Sequence, residues 1–137
     1  MQVTVTETPC RILLADSSQR FCEHLSAMLA DINCDIVAVH DGFDAICRLP
    51  GIRPDLLLVA SELPRLTGLQ ICTLLRQCPD FSALPVVLMV NDKSAVSRIQ
   101  AQMLGASECL SKPFRRSELE AVLTRLVERN SVLTAVA

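Results

Sequence analysis

The sequence predicts an α/β domain whose parallel sheet is covered by helices on both faces. Three observations predict it. Short apolar runs, Ile12-Leu13-Leu14-Ala15, Leu56 to Ala60 and Val86 to Val90, have strand length and no polar alternation, as strands buried on both sides require. Stretches with apolar residues at helical spacing lie between them. Turn and cap residues such as Asn33, Pro50-Gly51, Thr67-Gly68 and Gly105 punctuate the alternation. Strands and helices that alternate in one domain give right-handed crossovers and a doubly wound sheet. In such sheets ligands and chemistry sit past the carboxyl ends of the strands. The loop from Ala60 to Pro64, after the most apolar strand, is therefore the first place to look for function.

Each element has its own signal. Residues 1–9 are polar and β-branched, a flexible lead-in. Arg11 to Ala15 is a first strand that ends at Asp16. Ser17 or Ser18 can cap a helix presenting Phe21, Leu25, Met28 and Leu29 on one side, with Asn33 breaking it. Cys34 to Val39 is a second strand. Asp41-Gly42 is a turn signal, and a short helix through Ala45, Ile46 and Leu49 ends at Pro50-Gly51. Leu56 to Ala60 is the central strand. Thr67-Gly68 opens a helix through Leu69, Cys72 and Leu75, finished by Cys78-Pro79. Pro85 to Val90 is a fourth strand. Ser94 can cap a helix through Val96, Ile99 and Met103 that stops at Gly105. Glu108 to Leu110 is a short fifth strand. The last helix shows Leu119, Val122, Leu123, Leu126 and Val127 at i, i+3, i+4, i+7, i+8. Residues 131–137 read as a weakly structured tail or a truncated linker.

Composition excludes several classes. At 137 residues the chain is one domain with room for its own core. No apolar run approaches the ~20 residues a membrane helix needs, and no signal peptide pattern opens the chain. A net charge of −2, with neither Trp nor Tyr, gives no field or stacking platform for nucleic acid. Neither G-x-G-x-x-G nor a P-loop occurs. The seven cysteines include no C-x-x-C pair, and neither His24 nor His40 sits at zinc-ligand spacing. They read as buried small hydrophobes in a reducing cytoplasm, and no metal or other cofactor is expected.

At this point a resemblance becomes visible. Arg11-Ile-Leu-Leu-Ala-Asp16, Asp41-Gly42, Pro54-Asp-Leu-Leu-Leu-Val-Ala60, Leu63-Pro64, Gly68-Leu69, Pro85 to Val90, Gly105-Ala106 and Ser111-Lys-Pro-Phe114 fall in the order and spacing of the receiver domains of two-component response regulators. The chain resembles that family over about residues 10–130, and Lys112-Pro113-Phe114 is the most specific piece. The resemblance implies the flavodoxin-like (βα)5 fold, a parallel five-stranded sheet in order 2-1-3-4-5. It also implies a chemistry: phosphoryl transfer to an aspartate ending the third strand. The Mg²⁺ there is held by that aspartate, by an acidic pair after the first strand and by a loop carbonyl. A Ser or Thr and a Lys grip the phosphoryl group, and an aromatic residue in the fifth strand reports it.

Carried over residue by residue, the working parts are mostly replaced. Ala60 stands at the acceptor position. Ala15-Asp16 keeps one carboxylate of the acidic pair. Val90 replaces the hydroxyl and Cys109 the aromatic switch. Asp16, Lys112 and the carbonyl position Glu62 remain. Three carboxylates in one site repel by about 4 kcal/mol per pair at 4 Å and an effective dielectric near 20. Removing two relieves that strain and frees Lys112 to pair with Asp16. Asp16 also suits a cap on the first helix. Ser61 and Glu62 are the nearest substitutes for a nucleophile, but no His base accompanies the serine, and Glu62 is expected to face solvent. Arg115-Arg116 reads as the charged first turn of the last helix, or as a partner contact.

The expectation is a degenerate pseudo-receiver. It is a cytoplasmic protein–protein interaction module of a bacterial two-component pathway, not an enzyme. Its partner face, by family analogy, joins the fourth helix, fifth strand and fifth helix at Arg98, Gln102, Cys109 and Arg125, and a homodimer through it is conceivable. Two alternatives stand beside it. One is a sensor of a cyclic nucleotide such as cyclic di-GMP, supported by Arg98, Arg115 and Arg116. The other is a regulatory domain cut from a larger kinase, cyclase or transcription factor.

Overall fold

A computed structural model of the chain describes residues 9–91 and 95–136. Five strands form one parallel sheet: β1 (Cys10–Ala15), β2 (Cys34–Val39), β3 (Leu56–Ala60), β4 (Val86–Val90) and β5 (Glu108–Ser111), in order β2-β1-β3-β4-β5. Five helices alternate with them: α1 (Gln19–Met28), α2 (Gly42–Ile52), α3 (Gly68–Arg76), α4 (Ala95–Met103) and α5 (Arg116–Val136). This is the flavodoxin-like order. The three apolar runs are the three inner strands, and every residue of β3 and β4 is buried. No polar side chain interrupts them because neither face of the inner sheet meets water.

Register fixes which strand ends meet. Ala15 pairs with Val59, Ala60 with Met89, and Val90 with Ser111. Asp16, Ala60, Val90 and Lys112 thus emerge at neighbouring positions along one edge of the sheet. The Lys112 amide donates to the Val90 carbonyl at 2.7 Å, continuing the β4–β5 ladder into the loop.

Local chemistry starts and stops the helices. Ser18, in extended conformation, caps α1 by accepting from the Phe21 amide. Thr67 and Gln70 make a reciprocal capping box on α3, at 3.2 and 2.9 Å. Gly68 begins that helix because a Cβ there would lie 2.3 Å from the Ala60 carbonyl oxygen. The loop after β3 folds back too closely for any side chain.

Three local readings change. Asp41-Gly42 is not a free turn: Asp41 is the N-cap of α2, accepting from the Asp44 amide at 2.7 Å. Pro50-Gly51 does not end that helix, which runs to Ile52 and stops at Arg53 in the left-handed region (φ 49°). Pro50 sits in the last turn, so it removes only one helical hydrogen bond, and the Arg53 amide closes the end on the Leu49 carbonyl. The segment from Ser131 is no loose tail, since α5 continues to Val136; no Gly or Pro interrupts 116–136. The lead-in at residues 1–8 and the cap expected at Ser94 lie outside the described residues, as do the side chains of Val96 and Val127.

Candidate functional site

The carboxyl edge of β1, β3, β4 and β5 holds the residues singled out from the sequence. Asp16 and Ser111 are buried polar residues there, Asp16 being 3% exposed. Ala15, Ala60 and Val90 are buried beside them in the core. Lys112 is half-covered.

Burying a carboxylate is costly unless partners replace its water, and Asp16 has them. Its Oδ2 accepts from Lys112 Nζ at 2.5 Å, and its Oδ1 accepts from the Ser18 amide at 2.9 Å. Asp16 therefore pairs with the lysine, but it is not the cap of α1: Ser18 is, and Asp16 holds the amide of that capping residue. Its backbone is held as well, with the amide on the Val39 carbonyl and its own carbonyl 3.0 Å from His40 Nδ1. The Cys22 thiol lies 3.7 Å from the same carbonyl, and burial together with the Asp16 charge pushes it up to about 11. Cys22 is a neutral packing residue.

Lys112 is fixed from a second side. Its Nζ lies 4.0 Å from the centroid of the Phe21 ring, a cation–π contact. Phe21 in turn meets Phe114 edge-on, with centroids 6.1 Å apart. The sequence reading places Phe21 only in the core stripe of α1; its signal is its spacing, one helical turn after the Ser18 cap. The Lys112-Pro113 peptide is cis.

Glu62 is exposed on the β3–α3 loop and Ser61 is half-buried. The Ser61 amide donates to Met89 and its carbonyl accepts from Gly68. The rest of that loop is latched to α2. Arg65, with φ 72°, donates from Nη2 to Asp41 Oδ2 at 2.9 Å and lies 4.9 Å over the Phe43 ring. The Gly42 amide donates to the Pro64 carbonyl at 3.0 Å.

The residues expected on the partner face lie on α4, β5 and α5. Arg98 donates from Nη2 to Ser111 Oγ at 3.1 Å. Arg125 pairs with Glu108 at 3.0 Å across β5 and α5. Cys109, half-buried, lies between these pairs and its thiol is raised by burial. Gln102 is exposed one turn beyond Arg98 on α4. A groove of about 570 Å³ runs beside them, lined by Arg98, Ser111, Pro113, Phe114, Arg115 and Glu118. Arg116 is engaged elsewhere, pairing with Asp31 at 2.8 Å and with Glu120 at 2.8 Å. Those two carboxylates offset its unfavourable place in the first turn of α5.

A five-stranded 2-1-3-4-5 sheet with an aspartate after β1 and a lysine before a cis proline after β5 defines the receiver class of signalling domains. The comparisons agree: the profile of the response regulator receiver domain matches residues 12–124, and the chain belongs to that family. It is 25% identical over 127 residues to protein PilG of Pseudomonas aeruginosa, covering 93% of this chain and 94% of PilG. It is 33% identical over 119 residues to response regulator MprA of Mycobacterium avium, but those residues span only 51% of MprA. Among solved structures, the chemotaxis response regulator CheY4 of Vibrio cholerae superposes with a TM-score of 0.81 at 23% identity. That match covers 87% of this chain and 99% of CheY4. The chain is a receiver domain of two-component signalling, and no helix among the described residues is long and apolar enough to cross a membrane.

Proposed function

We propose that this receiver domain works without phosphorylation, as a protein–protein interaction module rather than an enzyme. The observation that carries the reading is the Asp16–Lys112 pair, made beside an alanine. In the family the carboxylate helps hold Mg²⁺ and the lysine grips the phosphoryl group. Here each occupies the other, and Ala60 offers no nucleophile.

The residues do not fit a magnesium ion. Mg²⁺ dehydrates reluctantly and is held by one or two carboxylates together with substrate phosphates. Asp16 is the one carboxylate remaining at the family's ligand positions, and both its oxygens already accept hydrogen bonds. Ala15 and Ala60 carry no ligand atom, and Val90 could not hydrogen-bond a phosphoryl oxygen. What remains usable is surface: the α4–β5–α5 face with Arg98, Gln102, Cys109 and Arg125, suited to a signalling partner in the cytoplasm or to a second copy of the chain.

Incubation with acetyl phosphate and Mg²⁺, read by intact mass, tests this. No mass gain is expected. A gain of one phosphoryl group on any residue refutes the reading.

A second reading draws on the groove beside that face. It places the Arg98 and Arg115 side chains next to the Phe114 ring, a cation and an aromatic surface of the kind that holds a nucleotide. A thermal-shift titration with cyclic di-GMP separates the two: a saturable rise in melting temperature, lost in Arg98→Ala, favours the sensor. A regulatory piece of a larger kinase, cyclase or transcription factor is decided by the length of the gene.

A further inference from the structure

At the end of the sheet remote from Asp16, two cysteines stand side by side. Cys10 is the first residue of β1, Cys34 is the first residue of β2, and the two are register partners. Residues in register on adjacent strands point to the same face, with backbones about 4.8 Å apart. That spacing lies within the ~4.4–6.8 Å between Cα atoms that a disulfide spans. Both side chains line one apolar cavity of about 410 Å³ between the sheet and α5, with Ile12, Ile32, Glu120 and Leu123 among its other walls. Neither thiol is fully buried, so a small oxidant reaches them. The ladder is intact to its last rung, the Cys10 amide donating to the Asn33 carbonyl at 3.1 Å.

We propose that Cys10 and Cys34 form a reversible cross-strand disulfide when the protein meets a hydroperoxide. The modification is independent of the reading given for Asp16 and Lys112. One thiolate attacks the outer oxygen of the hydroperoxide, forming a sulfenic acid and releasing the alcohol, or water from hydrogen peroxide. The second thiolate attacks that sulfur and expels hydroxide, which leaves as water once protonated. Two thiols and one hydroperoxide thus give one disulfide, one alcohol and one water.

The geometry also says why the bond is labile. A relaxed disulfide brings the Cβ atoms to about 3.8 Å, closer than the strand spacing. The strand starts must pinch together, and Cys34 must give up its weak contact with the Leu29 carbonyl at 3.8 Å. Strained cross-links have higher reduction potentials and are the regulatory ones. Their position matters, because the bond would tie the edge strand β2 to β1 across α1, the helix that carries Phe21. Burial and the neighbouring Asp55 push Cys10 up to about 11, and burial raises Cys34 as well. The pair therefore rests as thiols, and its oxidation quickens as pH rises.

The test uses the full chain, reduced and then exposed to hydrogen peroxide, alkylated and peptide-mapped. A linked pair of peptides containing Cys10 and Cys34 is expected, reversed by dithiothreitol. Its rate should rise with pH, as attack by a minority thiolate requires. Cys34→Ser should abolish the link, and Cys47→Ser, at an exposed lone cysteine, should leave it. Two thiols that stay alkylatable, oxidation stopping at sulfinic acid, or a link mapping to another pair such as Cys72 and Cys109 overturns the proposal. Mapping of the unmutated protein decides it even if a variant folds poorly.

Discussion

Replacing Lys112 with methionine isolates what the central ion pair does. Methionine is one atom shorter than lysine but keeps an unbranched apolar stem, and it removes the charge. Asp16 then keeps the Ser18 amide on Oδ1 but nothing on Oδ2. Stranding one member of a buried pair costs about 3–5 kcal/mol. The Lys112 side chain is 20% exposed and that of Asp16 is 4% exposed, so water reaches the pair from the lysine side. That access discounts the cost to about 2–3 kcal/mol, at and just below the bottom of that range, with roughly 0.5–1 kcal/mol more for the cation–π contact with Phe21. For a domain of this size each kcal/mol moves the midpoint by about 3–5 °C, so the variant should melt roughly 8–20 °C lower.

The companion substitution separates charge from packing. Asp16→Asn keeps an acceptor for Ser18 and leaves an ammonium that can swing into solvent. It should cost less, about 1–2 kcal/mol. Asp16→Asn with Lys112→Met has no stranded charge, so its loss should fall well short of the sum. Urea denaturation of all four proteins closes a double-mutant cycle. We expect a coupling of at least about 1.5 kcal/mol. A coupling below about 0.5 kcal/mol, the level of exposed pairs, would falsify the view that these two groups satisfy each other inside the fold.

Magnesium at a few millimolar should not raise the melting temperature, because a ligand whose Kd exceeds its concentration adds less than about 0.5 kcal/mol; a rise of several degrees would show that Asp16 and the loop carbonyls suffice. Arg76→Lys should cost about 2–3 kcal/mol in urea denaturation, because the guanidinium reaches the Gly105, Ser82 and Leu84 carbonyls at 2.8, 2.9 and 2.8 Å at once and a point charge cannot. The Asp41 carboxyl is held below its usual range first by the Asp44 amide and then by Arg65. Its contribution is thus full above the unfolded pKa of about 4 and lost as pH falls below it; the melting-temperature gap between wild type and Asp41→Ala should narrow on acidification. Ala60→Asp alone should not create a phosphate switch. It leaves Ala15, Val90 and Cys109 in place, so a phosphoryl group gains no differential contact between two states, and a partner-affinity change of tenfold, about 1.4 kcal/mol, on adding acetyl phosphate would refute this.

The fold was legible because every inner strand is buried on both faces. Leu56 to Ala60 can tolerate no polar residue there, so its run of apolar residues stands out from any helix around it. The mistakes fell where the deciding interaction is a single local hydrogen bond. Pro50 looks like a stop, yet in a last turn it forfeits one bond while the Arg53 amide still closes the helix. Asp41 looks like a turn, yet its side chain caps α2. The site positions Ala15, Ala60 and Val90 came from the resemblance to receiver domains, and the register of the strands brings them to one end of the sheet. What the letters hide is geometry that depends on partners far apart in the chain. Lys112 lies 96 residues from Asp16; the family resemblance puts both at one site and so implies their pairing, but not the Phe21 ring beneath the ammonium, since an aromatic residue on a core stripe looks the same whether or not a cation sits on it. The same limit hid Cys10 and Cys34. Neither forms a motif in sequence, and only the parallel register of β1 and β2 makes them neighbours.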